Sequence, residues 1–333
     1  MGWKGAIRTI AAAQRRAERE AQRRRRELEK EHQRYMKMQE LEQAAYDVQE
    51  YENYVSLLTS VHKECSNNWD WESIKSSEQP EKPDKSSAYE NQARTILNNY
   101  KPSVFDKLFN KIEKKQSHMV TEIENAIEKD EQKNKNELNK YEQEFEDWKN
   151  AKELATKILE GSPEAYLEAI NQTEPFADIN ELGSSIEFIV RDKTTIEANM
   201  HVNSEKVVPK EIKSLLKSGK LSVKNMPKGL FFELYQDYVC SCILRVVREI
   251  FALLPIEAVL INAKGKLLSS KTGHIEEQTI LSVAIPIKTL NNINLDMIDP
   301  SDSMENFVHN MSFKKSKGFE AVNDVEISEL DIN

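Results

Sequence analysis

The stretch Leu230 to Ile261 constrains this chain more than any other. Its apolar residues cover most of a helical circumference, and a helix apolar nearly all round must be buried on nearly all sides. Pro255 stops it, so a helix over about 229–254 is followed by an apolar, partly β-branched strand from Ile256 to Ile261. The surrounding sequence must therefore supply a sheet and further cover.

Ile186, Phe188 and Val190 alternate with polar residues, as do Ile196, Ala198, Met200 and Val202, with Asp192-Lys193 between the two runs. Such alternation predicts a β-hairpin with one buried face. Pro209 opens a short helix on the spacing of Ile212, Leu215 and Leu216, closed near Gly219, and Lys220 to Lys228 reads as a basic connector. Thr279 to Ile287 is a second apolar strand, joined to the first by a long hairpin arm over 262–278. Asp299-Pro300-Ser301 has the composition of a helix cap and predicts a last helix through His309. The order β-β-α-α-β-β-α over 161–318 makes an α+β domain, a sheet covered by the long helix. Glu320, Asp324, Glu326, Glu329 and Asp331 predict an acidic tail, 319–333, without fixed structure.

Upstream the pattern is helical. No proline interrupts Ala6 to His62, and no glycine follows Gly5 in that span. Leu41, Ala45, Val48, Tyr51, Val55, Leu58 and His62 follow three-four spacing, with Leu28 and Tyr35 seven apart ahead of them. That is the seam of a coiled coil or helical hairpin. Before Leu28 the seam is only alanine, at Ala13, Ala17 and Ala21. Pro80, Pro83 and several serines make 66–87 a loop. Helical pattern resumes at Ala88, hesitates at Pro102, and runs from Val104 to about Glu160; Glu128 to Glu137 holds no apolar residue, so periodicity leaves open a continuous helix or a turn there. Gly161-Ser162-Pro163 is a stop followed by a restart. The expected organisation is a basic helical extension over 1–27, a coiled-coil arm over 28–160, the α+β domain and the tail.

A formal charge of −9 hides an uneven distribution, with arginines crowding the start and carboxylates the end. Cys65, Cys240 and Cys242 form no disulfide framework, which fits a reducing, cytoplasmic setting. The arginine run after Ile10 is not a secretory signal, and Ala6 stands where myristoylation wants Ser or Thr. No stretch reaches the roughly 18 uncharged residues that a membrane-crossing helix needs.

Two sets of residues are candidates for function. On the central helix Glu233, Asp237, Ser241, Arg245 and Glu249 recur every four residues, a polar stripe that could form a site or a narrow solvent-facing edge. Arg15, Arg16, Arg19, Arg23, Arg24, Arg25 and Arg26 could contact anions or nucleic acid, although Glu18, Glu20, Glu27 and Glu29 are interleaved, as on solvated helices. His62, Cys65 and Asp70 make half a zinc site with nothing to complete it. The nucleophile elbow, phosphate loop, dinucleotide fingerprint and zinc-protease motif are absent from the sequence. No cofactor or metal is expected. The reading is a non-enzymatic cytoplasmic interaction protein, using its helical arm for self-association or partner docking. Nucleic-acid binding through the arginines, with a divergent nuclease-like α+β domain, is the alternative; docking to an anionic membrane surface is the third reading.

Overall fold

The computed structural model describes residues 3–103, 111–176, 185–202 and 207–326, without the side chains of 3–23, 26 and 27. The chain is α+β, a long N-terminal helical region followed by a sheet-rich C-terminal part. Two compact units are formed, Met1–Asn68 with Ile170–Asn333, and Trp69–Ala169.

In the first unit a 58-residue helix, α1 (Trp3–Ser60), ends in a 3₁₀ turn, Val61–Lys63. The strands are β1 (Ser185–Val190), β2 (Thr195–His201), β5 (Ala258–Leu268), β6 (Ile275–Pro286), β7 (Val308–Lys314) and β8 (Gly318–Glu320), hydrogen-bonded in that order as one sheet. Among the described residues only β2 and β5 pair in parallel; a parallel pair needs a long crossover, and here it holds the separate hairpin β3 (Glu211–Leu215) and β4 (Leu221–Asn225), then α6 (Lys228–Leu253). One sheet face presents Ile196, Ala198, Ile261 and Val283, all fully buried. That face packs on α6: a Cβ on Gly265 would meet the Tyr235 hydroxyl at 3.4 Å and Ile280 at 3.2 Å. The expected helix followed by a buried strand is present, and Pro255 lies between them.

Four expectations need correction. Residues 209–228 are not a helix and connector but the β3–β4 hairpin, turned at Gly219 with φ of +79°; the four-residue step from Ile212 to Leu216 satisfies either period, and a left-handed glycine favours the turn. The last helix through His309 is only a 3₁₀ turn, Asp302–Asn306, after which β7 pairs with β6. Among the described residues the order from β1 is thus four strands, α6, two strands, the one-turn helix Ile287–Leu290, the 3₁₀ turn and two strands, not β-β-α-α-β-β-α. The tail over 321–326 is fixed on the sheet: Val325 is buried, its N–H donates to Ser282 Oγ at 2.8 Å, and Val322 N–H donates to Thr279 O at 2.9 Å. Residues 327–333 lie outside the described residues.

The second unit contains α2 (Trp71–Ser76), α3 (Ala88–Asn98) and α4 (Ile112–Glu160). The expected start at Val104 and the seam residue Leu108 lie outside the described residues. Through Glu128 to Glu137 the helix α4 is continuous, and its polar residues hold the incoming chain. Asp130, 4% exposed, accepts from Tyr89 and Glu90 N–H at the start of α3, while Asn134 both donates to and accepts from the Ser86 backbone at 2.8 Å. Trp148 donates to Ser77 Oγ at 3.0 Å, and Trp69 stacks on Trp71. Gly161, with φ of +82°, closes α4, and α5 (Pro163–Thr173) follows. The seam of α4 is therefore filled by α2 and α3, and within the first unit that of α1 by α6 and β3–β4. Among the described residues no helix is long and apolar enough to cross a membrane.

Candidate functional site

The polar stripe of α6 is mostly buried, so it is not a solvent-facing edge. Glu233, Asp237, Ser241 and Glu249 each hold a segment that arrives from elsewhere in the chain. Glu233 pairs with Lys315, and Asp237 accepts a hydrogen bond from Ser301. Ser241, fully buried, meets His62: the His62 backbone N–H donates to Ser241 Oγ at 3.1 Å, and His62 Nδ1 lies 2.9 Å from the same oxygen. Nε2 of His62 lies 3.0 Å from Leu295 O. Since a carbonyl only accepts, the proton sits on Nε2 and Nδ1 accepts from Ser241. One turn further, Arg245 pairs with Glu249, Glu249 Oε1 accepts from Ser66 N–H at 2.8 Å, and Arg248 donates to His62 O. The helix phase that puts these residues in one line also puts them under the end of α1.

Burial decides the electrostatics. It lowers the pKa of His62, keeping the ring neutral, with Lys63 and Arg248 adding to the effect against the Leu295 hydrogen bond. Burial raises the Cys65 thiol, and Glu249 raises it further, so the group is neither thiolate nor ready ligand. Burial again comes first for Asp237, whose pKa is pushed up to about 6; Asp299, Glu233 and Asp302 add repulsion while the Ser301 hydrogen bond opposes. Cys240 is fully buried and its pKa is driven well upward. Among the described residues no group of three His, Cys, Asp or Glu side chains could hold a metal ion, so the zinc half-site gains no further ligand.

A second polar row went unread in the sequence. Glu197, Asn199, Asn262 and Ser282 share the sheet face away from α6 and are buried. Arg191 Nε donates to Glu197 at 2.6 Å, Asn262 Nδ2 donates to Glu197 Oε1 at 3.1 Å, and Ser282 Oγ donates to Asn262 Oδ1 at 2.7 Å. The alternation in β2 was visible, but it implied a wet face for Glu197 and Asn199. The row Asn199, Asn262, Ser282 follows only from the register, which aligns them across three strands.

The remaining surface is α1. Its seam is Leu41, Ala44, Val48, Tyr51, Val55 and Leu58, with Ala44 buried and Ala45 exposed, one residue off the sequence reading. Leu41 lies 3.1 Å from the Cβ position of Gly219, and Tyr54 donates to Val207 O at 2.7 Å. Every residue from 28 to 40 is exposed, including Leu28, Tyr35, Met36 and Met38. Arg24 and Arg25 are exposed; the side chains of Arg15, Arg16, Arg19, Arg23 and Arg26 lie outside the description. No protein-family model, curated protein or solved structure matches the chain.

Proposed function

We propose that this is a non-enzymatic interaction protein of the cytoplasm, in which α1 is a docking arm fastened at its C-terminal end. One observation carries the reading: the helix continues through 28–40 with every side chain exposed, four large apolar ones among them, while beyond Leu41 the same helix is seated on α6 and β3–β4. Exposed apolar groups along one element are a feature of interaction surfaces. The buried links at His62, Arg248 and Glu249 hold the arm's base rigidly. Both polar assemblies of the sheet unit are hydrogen-bonded within themselves, which supports a scaffold role for that unit.

The triple change Leu28→Glu, Tyr35→Glu and Met38→Glu tests this. At a protein concentration where the wild type is monomeric the thermal midpoint is expected to stay at the wild-type value, and at higher concentration the association seen by sedimentation velocity disappears. A midpoint lowered by several degrees would mean that the chain itself covers this surface, and the arm reading would be lost.

Exposed Arg24 and Arg25 favour nucleic-acid binding as a second reading. It predicts duplex binding that weakens steeply with salt and falls when Arg23 to Arg26 become alanine. Co-sedimentation with anionic but not neutral vesicles would instead favour membrane-surface docking.

A further inference from the structure

Two stripes run along opposite sides of α1. The seated seam occupies one. At about 100° per residue, Leu28, Tyr35, Met38, Tyr46 and Leu57 fall roughly on the other side, and all five are exposed, from 41% for Leu57 to 65% for Leu28. By sequence spacing Ala13, Ala17 and Ala21 share the phase of this outer stripe. Charge divides where the alanines give way to large residues. Residues 3–26 hold nine basic and two acidic side chains, whereas residues 27–60 hold eight acidic and three basic ones.

We infer that the outer stripe of α1 pairs with α1 of a second copy of this chain, antiparallel, with the boundary between Arg26 and Glu27 near the two-fold axis. The inference rests on the docking-arm reading and names its partner. A helix basic in one half and acidic in the other is complementary to its own copy only when reversed. Reversal also sets positions 13 and 17 of one copy opposite 40 and 36 of the other, beside Met38 and Tyr35, so that small residues face large ones. A parallel pair would oppose basic half to basic half. Residues 3–50 of each copy would overlap over about 70 Å at 1.5 Å per residue. The seated seam stays on α6 and β3–β4 throughout, because it lies on the other side of the helix.

Sedimentation equilibrium of the full chain is expected to give a dimer whose dissociation constant rises roughly tenfold or more from 0.05 to 0.5 M NaCl as screening sets in. Direction is read by cross-linking in a Cys65→Ser background, where the remaining Cys240 and Cys242 are fully buried. Chains carrying Gln14→Cys are mixed with chains carrying Gln39→Cys and oxidised. Antiparallel pairing predicts the mixed 14-to-39 disulfide as the main product; dominant 14-to-14 and 39-to-39 products would overturn it. In a separate arm, Arg23 to Arg26 changed to Glu should leave a monomer, and mixing with a chain carrying Glu27→Arg, Glu29→Arg and Glu31→Arg should restore the dimer. A wild-type chain monomeric at every salt and concentration overturns the pairing. It does so without touching the docking-arm reading, which fails instead on the thermal midpoint of the triple variant.

Discussion

The two long helices of the first unit invert one another. In α6 the polar residues Ser241, Arg245 and Glu249 are buried, and in α1 the apolar residues Leu28, Tyr35 and Met38 are exposed. Both helices have regular three-four patterns, so the pattern by itself does not say which face is dry. In α6 the sheet takes one side, and the 3₁₀ turn after α1 with the loops around 295 and 301 takes the other. In α1 the hairpin β3–β4 and α6 reach as far as Leu41 and Glu40, the latter pairing with Lys220 at 3.6 Å. A residue's burial follows from what arrives beside it, and the arriving segments are distant in sequence.

The largest expected effect comes from removing a buried charge on α6. Glu249→Ala removes the buried carboxylate that pairs with Arg245 and accepts from Ser66 N–H, and should cost about 3–5 kcal/mol in urea unfolding. A loss under about 1 kcal/mol would mean that this end of α6 is solvated like α1, and the contrast would collapse.

Neighbouring leucines test the contrast within α1 itself. Leu58 is fully buried and Leu57 is 41% exposed. Leu58→Ala should cost about 2–5 kcal/mol and Leu57→Ala within about 0.5 kcal/mol. Equal losses would show that both faces of the helix are covered.

Asp237→Asn should act in the opposite direction. Its folded pKa, pushed up to about 6, lies above that of the unfolded chain, so the folded state holds the proton more tightly. Stability from this group is therefore present at low pH and lost as pH rises from about 4 through about 6. The asparagine variant keeps the Ser301 contact without the charge, and should be about 1 kcal/mol more stable at pH 7, a half-buried carboxylate retaining part of its hydration. The gain should vanish near pH 4 in thermal melts; a gain that persists there would assign it to packing. His62 contributes with the other sign. Its lowered pKa means that the folded state binds the proton less tightly, so stability falls as pH drops below about 6.5. Replacing His62 by Gln should flatten that acid-side slope.

The smallest effect is expected at Tyr35→Ala and Leu28→Ala, within about 0.5 kcal/mol of wild type in the monomer. A measurable loss at protein concentrations that favour assembly would locate their contribution in the dimer.

Much of the first-unit core was legible. The breadth of the apolar surface over 230–254, the proline after it and the β-branched run following it each have a local cause, and α6 and β5 are where those causes put them. The hairpin β1–β2 was legible from alternation and its Asp192-Lys193 turn. Residues 209–228 were not, because the four-residue step from Ile212 to Leu216 fits two periods and only pairing with β4 selects the strand. Nor was Glu128 to Glu137: a run of polar residues reads alike as a turn or a solvated helix until Ser86 and the start of α3 are seen to use Asn134 and Asp130. The α6 stripe was legible as a four-residue repeat, whereas the burial of Ser241, Arg245 and Glu249 was not.

Local sequence determined where α4 and α6 stop, and that α6 had to lie at the centre of a core. Backbone sterics, capping and periodicity act over a few residues and need no partner. Tertiary structure alone decided which face met which. It buried a polar stripe by bringing His62 and Ser66 across from α1, aligned Asn199, Asn262 and Ser282 through strand register, and left the outer side of α1 bare. Those outcomes depend on contacts between residues often more than a hundred positions apart, where no local preference reaches.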